Sequence, residues 1–218
     1  MAKEKKKKYV QMTSPAGVAV YPWLNKPDTK FNAAGIYSVT LKLEGAEADT
    51  LIEALAPLYQ AALDAAKEES GKKKIKEAGV PWKLAEDEEG NELDGVYLFN
   101  FKMKAQLTDK AGSVIDMRPA LFDAARKPLP AKTAVWGGSK IKVAFELVPF
   151  FVAAVGAGIS LRMKAVQVLE LVSGGQRDAE SYGFDEEDGY VAEDVAADAG
   201  SDTTPATQDA EDGGEEDF

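Results

Sequence analysis

Apolar and polar residues alternate along two stretches of the chain, and this alternation predicts two half-buried β-strands. In 35–43 every second residue is apolar, and Lys42 lies on the other face. In 139–148 the same alternation leaves Lys140 and Lys142 on the polar face. A period of two, with β-branched and aromatic residues on the apolar side, is typical of a strand with one face in a core.

The period changes to that of a helix in 46–70, where apolar residues recur at spacings of three and four. Asp49 or Thr50 is expected to cap the helix, and Gly71 to end it. Pro57 lies inside the segment and predicts a kink or a late start, because proline donates no backbone hydrogen bond.

Further strands are predicted at 96–107, 114–117 and 158–172, with a turn at 109–113. The segment 72–95 is predicted to be a loop. Five or more strands with a single helical insertion indicate an all-β dominated fold, which is a small, strongly bent barrel or a sandwich.

Negative charge is concentrated at the end of the chain. Residues 178–218 contain 16 acidic residues and no Lys or Arg, which leaves 21 acidic against 26 basic residues in the rest of the chain. Apolar periodicity also stops there, so we expect an acidic, disordered tail. The expected organisation is a basic arm at 1–8, one domain at 9–176 and the tail at 177–218. A basic domain favours a polyanionic partner.

The composition excludes several functional classes. The chain has no Cys and no His, so disulfides, thiolate sites, His-ligated zinc and His-dependent nucleophiles are impossible. No phosphate-loop or calcium-loop spacing is complete, and we expect neither an enzyme nor a cofactor. The longest apolar run, 148–159, is too short to span a bilayer, so we expect a cytoplasmic protein without a membrane segment.

The polar faces of the predicted strands are basic. If the alternating apolar residues face the core, four strands direct the following residues outward: Lys42; Asn100, Lys102 and Lys104; Lys140 and Lys142; Arg162 and Lys164. A stripe of cations on one side of a barrel would bind a phosphate backbone. Lysines on solvated strands also serve solubility, but the agreement of four strands favours binding.

Aromatic residues lie among these bases. The candidates for stacking on unpaired bases are Tyr21, Trp23, Trp82 and Trp136, with Lys26 and Lys30 beside the first two. The three Trp residues stand in contexts bounded by Pro or Gly, which we interpret as loops. At least two of Tyr97, Phe99 and Phe101 are expected to be core residues instead.

The tail has three interpretations. It could serve solubility, it could compete with a polyanion for the domain's own cations, or it could bind a partner protein. In the third case the acidic residues would steer the tail and Phe218 would anchor it, after Glu215, Glu216 and Asp217.

Four stretches carry a resemblance to a known family: 18–27 (VAVYPWLNKP), 35–42 (GIYSVTLK), 136–143 (WGGSKIKV) and 156–171 (GAGISLRMKAVQVLEL). With the acidic tail that ends in Asp-Phe, they resemble the T7-type single-stranded DNA-binding proteins of phages. The likeness is closest to a related phage family first described as a domain of unknown function.

The resemblance implies an OB-fold with a helix inserted between strands, and strand-face contacts to single-stranded DNA. It also implies a homodimer and a C-terminal aromatic that docks on replication proteins such as polymerase, helicase-primase or nuclease. The expected function is sequence-independent coating of single strands in phage replication, recombination and repair. The alternatives are a strand-annealing protein, or an assembly or interaction protein whose acidic tail keeps it soluble.

Overall fold

The computed structural model describes residues 9–109, 111–130 and 132–172, and within them lie ten β-strands and one α-helix. The elements in chain order are β1 (Val10–Thr13), β2 (Gly17–Asp28), β3 (Ile36–Glu44), α1 (Gly45–Ser70), β4 (Trp82–Glu86), β5 (Glu92–Lys104), β6 (Gln106–Thr108), β7 (Val114–Asp116), β8 (Ala120–Phe122), β9 (Lys140–Val152) and β10 (Gly156–Glu170).

Five long strands close into a barrel. Around it they follow the order β2, β3, β5, β10, β9, and β9 pairs back to β2. Only the β5–β10 pair within this barrel is parallel, through Phe101 with Leu161 and Lys102 with Arg162. A closed five-stranded barrel of this kind is an OB-fold. The predicted β-dominated barrel with one inserted helix is therefore confirmed.

Strand alternation fills the barrel interior. Phe99, Phe101 and Phe145 are fully buried, and the rings of Phe101 and Phe145 lie 5.0 Å apart. The apolar faces predicted in 35–43 and 139–148 all point into this core. Lys42, Lys140 and Lys142 are therefore among their outward neighbours, as the alternation predicted.

Helix α1 connects the second and third strands of the barrel. Its buried face consists of Ala48, Leu51, Leu55, Ala62, Leu63 and Ala66. Gly71 ends it in the left-handed conformation, as predicted. The predicted cap and the late start are wrong: Glu44 is the N-cap residue and the helix continues through Pro57. Because the helix begins before Thr50, the Thr50 hydroxyl donates to the carbonyl of Ala46 instead.

Two strand assignments correct the prediction from sequence. Trp23 and Trp82 lie on strands β2 and β4, whereas Pro and Gly around them indicated loops. Pro22 and Pro27 lie where the pairing of β2 with β3 shifts register, so the missing N–H groups of these prolines are tolerated there. Strand β4 is a short strand at the side of β5 within the segment predicted to be a loop.

Among the described residues, no helix is long and apolar enough to cross a membrane. The predicted basic arm at 1–8 and acidic tail at 177–218 lie outside the described residues.

Candidate nucleic-acid interface

A groove of about 1120 Å³ lies on the barrel where β1 and β9 approach β5 and β10. Four of the cations predicted from sequence line it: Lys102, Lys104, Arg162 and Lys164. Lys102 and Arg162 are directly paired residues of the parallel strands β5 and β10. The geometry of β5 and β10 therefore brings these four side chains together.

Strand pairing arranges polar side chains in a row that crosses six strands. From β2 to β1 the paired residues are Trp23, Ser38, Lys102, Arg162, Glu146 and Gln11. Directly paired residues project on the same side of a sheet, and neighbouring strands lie about 4.8 Å apart. The row therefore carries an exposed tryptophan at one end and a carboxylate among cations near the other.

Glu146 is the buried carboxylate of this groove. Its Oε2 accepts hydrogen bonds from Nε of Arg162 at 3.1 Å and from Nη2 at 2.5 Å. Its Oε1 accepts from the Gln11 side chain at 3.2 Å and lies 3.7 Å from Nζ of Lys164. Burial raises the pKa of Glu146, but the hydrogen bonds from Arg162 and Gln11 and the charge of Lys164 outweigh it and hold the pKa below its usual value.

Arg162 also contacts an aromatic ring. Its guanidinium carbon lies 4.8 Å from the centre of the Tyr9 ring, and both side chains line the groove. By contrast, no carboxylate of a described residue lies within 4 Å of Lys102 or Lys104. Among the described residues, the groove thus combines two lysines without a carboxylate partner with an arginine and a lysine that share Glu146.

The other predicted cations lie elsewhere on the barrel. Lys42 and Lys140 are both paired with Val18 of β2 in the strand register. Lys42 forms an ion pair with Glu44 at 3.0 Å, and Lys140 forms one with Glu170 at 3.3 Å. Lys142 follows on β9, across from Gln167 of β10. The expected single stripe is therefore divided into the groove and a second, ion-paired row.

Three of the four candidate stacking aromatics are open to solvent. Tyr21 is 84 % exposed, Trp23 46 % and Trp136 50 %. Trp82 is half-buried and packs against the core, with its ring centre 6.4 Å from that of Phe99. Burial against the core leaves Trp82 less of its ring to offer to a base.

The β2 strand positions the remaining candidates. The Asn25 side chain accepts from the N–H of Val135 at 3.0 Å and donates to the carbonyl of Thr133, which fixes the segment before Trp136 against β2. Lys26 is exposed on β2, and Lys30 lies beyond it with its Nζ 5.3 Å from the centre of the exposed Phe31 ring.

Sequence reasoning missed Tyr9, Gln11 and Glu146. One signal for Glu146 was present, since it is the single acidic residue on the outward face of 139–148, where the other charged residues are lysines. The pairing of Glu146 with Arg162 on β10 depends on strand register, which a local sequence pattern does not determine.

Comparison with known proteins decides the family. The family model described as the single-stranded DNA-binding protein of bacteriophage T7 matches residues 16–171, which is most of the chain. This chain belongs to that family. The match includes all four groove cations, whereas Tyr9 and Gln11 precede it.

Individual relatives agree with this assignment. The chain is 30 % identical over 215 residues to the single-stranded DNA-binding protein of Enterobacteria phage T3, with 88 % of each chain covered. It is 29 % identical over 202 residues to that of Escherichia phage T7, with 83 % of this chain and 84 % of that protein covered.

Solved structures support the fold. The crystal structure of the single-stranded DNA-binding protein encoded by bacteriophage T7 aligns with a TM-score of 0.65 at 28 % identity, over 85 % of this chain and all of that one. The single-stranded DNA-binding protein of bacteriophage Enc34 in complex with ssDNA aligns with a TM-score of 0.54 at 14 % identity, over 76 % of this chain and 89 % of that one. This second likeness concerns the fold alone.

Proposed function

We propose that the protein binds single-stranded DNA without sequence preference, and that the groove is its main contact surface. The observation that carries the proposal is the convergence of Lys102, Lys104, Arg162 and Lys164 on one groove, in a chain of this family. Cations on adjacent strands bind consecutive phosphates and release their counterions, which makes such binding salt-dependent and independent of sequence.

The groove also has an apolar component suited to unpaired bases. Met103, Met117 and Leu107 line it together with the cations. The exposed Trp23 lies three strands from Arg162 along the same row. Stacking of a base on an aromatic ring contributes about 1–3 kcal/mol. A DNA single strand that runs along the row from Arg162 to Trp23 would therefore meet both phosphate and base contacts.

We further propose a role in phage DNA replication, recombination and repair, supported by the family of the chain.

The 16 acidic residues of 178–218 support two more proposals. The tail competes with DNA for the domain's cations, and it recruits replication proteins through Glu215, Glu216, Asp217 and the ring of Phe218.

Titration of intrinsic tryptophan fluorescence with poly-dT tests the proposed DNA binding. We expect quenching, because Trp23 and Trp136 are exposed near or on the β2 strand, and we expect a dissociation constant that rises steeply with salt. If poly-dT neither quenched the fluorescence nor bound to the protein at low salt, the proposed DNA binding would be rejected in favour of an assembly protein. Strand annealing requires a separate assay with complementary strands.

A further inference from the structure

We propose that Tyr9, Arg162 and Glu146 form a nucleobase-stacking subsite, in which Arg162 receives an unpaired base instead of a phosphate. This inference rests on the proposed binding of single-stranded DNA and assigns the chemistry of one position within it. Neither Tyr9 nor Glu146 is among the residues that the strand pattern indicated, and Arg162 was expected to serve as a phosphate contact.

One of the two edges of Arg162 that could bind a phosphate through two hydrogen bonds is already occupied. Both Nε and Nη2 donate to Oε2 of Glu146, at 3.1 and 2.5 Å. The Glu146 side chain is only 11 % exposed and also contacts Gln11 and Lys164. A phosphate that took its place would leave a buried carboxylate without its principal partner, and such a loss is strongly unfavourable.

The charge of Arg162 is also balanced where it lies. Glu146 neutralises the guanidinium at contact distance, whereas Lys102, the next residue in the row, has no described carboxylate within 4 Å. Backbone phosphates are therefore drawn to Lys102 and Lys104 on β5, and Arg162 is left beside them on β10. A base attached to such a phosphate would reach the neighbouring strand, about 4.8 Å away.

The planar surface of Arg162 remains available to the groove. The guanidinium lies over the Tyr9 ring, 4.8 Å from its centre, and 41 % of the arginine side chain is exposed. Guanidinium planes and aromatic rings both stack on unpaired bases, and a cation over a ring adds cation–π attraction. Glu146 acts as the positioning residue, because its two hydrogen bonds fix the orientation of the plane.

The ligand class that follows is any unpaired nucleobase. Stacking uses the π face that every base has, so the subsite supports binding without sequence preference. Its contribution to affinity should therefore depend little on salt, whereas that of the two β5 lysines should depend on it strongly.

Two oligomers of equal length and charge separate base stacking from phosphate binding. One is oligo-dT, and the other is the same phosphodiester chain with abasic tetrahydrofuran residues. Arg162→Lys keeps the positive charge beside Glu146 but removes the planar surface, and Tyr9→Ala removes the ring. Lys104→Gln is the control for a phosphate contact, and thermal unfolding of each variant checks the fold.

We expect Arg162→Lys and Tyr9→Ala each to weaken oligo-dT binding about fivefold or more, the lower bound for loss of one stacked base. Both should bind the abasic chain within about twofold of the wild type, with an unchanged salt slope. Lys104→Gln should weaken both oligomers alike and reduce the slope by about 0.7.

Equal weakening of both oligomers by Arg162→Lys would show a phosphate contact and overturn the subsite. Unchanged oligo-dT binding by both variants would overturn it as well. If the wild type bound neither oligomer at low salt, the proposed function itself would fail, which is a different result from the failure of the subsite alone.

Discussion

A single residue, Glu146, determines how the cations of the groove differ from one another. Its one negative charge lies against Arg162 and, at a longer distance, against Lys164 on β10, whereas Lys102 and Lys104 on β5 have no described carboxylate within 4 Å. Four residues that are equivalent in the sequence pattern, all basic and all outward-facing, thus lie in two different electrostatic environments in the structure.

The lowered pKa of Glu146 predicts a contribution to stability that depends on pH. A carboxyl group whose pKa is lower in the folded state stabilises the fold above its unfolded pKa, near 4.5, and loses this effect as the pH falls toward the folded pKa. Glu146→Gln should lower the thermal midpoint at neutral pH, and the midpoint of this variant should fall less than that of the wild type as the pH drops below about 4.5.

Glu170→Gln is the matched control, because Glu170 forms an ion pair with Lys140 but its side chain is 72 % exposed. Exposed ion pairs contribute little, so this variant should follow the wild-type pH profile. An identical profile for Glu146→Gln would contradict the role assigned to the buried carboxylate.

At the scale of elements, strand β10 begins at a close crossing with the segment after α1. Ala157 donates its N–H to the carbonyl of Lys76, and Ala78 donates to the carbonyl of Ala157. Gly156 has a φ of +113°, and a Cβ there would lie 2.6 Å from the Lys76 carbonyl oxygen. Only glycine combines this conformation with such proximity.

Gly156→Ala should therefore reduce the free energy of unfolding by roughly 3–5 kcal/mol, from backbone strain together with steric overlap. Gly71→Ala is the control, because Gly71 also has a positive φ but a Cβ there would meet open space. Gly71→Ala should lower the free energy of unfolding by only about 1 kcal/mol. Urea denaturation measures the free energy of unfolding of both variants. Equal decreases would contradict a requirement for glycine at position 156.

Most of the barrel strands, but not all, could be predicted from the sequence. Alternation identified β3 and β9 because one face of each is buried, the strands predicted at 96–107 and 158–172 correspond to β5 and β10, and Gly71 marked the end of α1. Strand β2 was hidden by prolines at its register shifts, and β4 by its short length at the side of the sheet. The outward-facing cations were predicted from the polar faces of the strands, but their division between the groove and the ion-paired row depends on register between distant strands.

At the scale of the whole molecule, the charge is divided between a basic region and an acidic one. Residues 1–177 contain 26 basic and 21 acidic residues, and 178–218 contain 16 acidic residues and no basic ones. A tethered polyanion competes with DNA at a high effective concentration. Its effect should weaken as salt screens both interactions.

Deletion of 178–218 should therefore tighten binding to oligo-dT at low salt and change it much less at high salt. Fluorescence anisotropy with a labelled oligomer across a salt series measures both. Unchanged or weaker binding by the shortened protein at low salt would reject the competition.

We propose that the groove, and not basic charge in general, binds single-stranded DNA. The most direct test compares two double variants with the same loss of charge, Lys102→Gln with Lys104→Gln and Lys42→Gln with Lys140→Gln. Salt-dependent titration with poly-dT is the measurement. The Lys102/Lys104 double variant should weaken binding and lower the slope of log K against log salt concentration by about 1.4. The Lys42/Lys140 double variant should change this slope by less than half as much. Equal effects of the two pairs, or a larger effect of the second, would contradict the account.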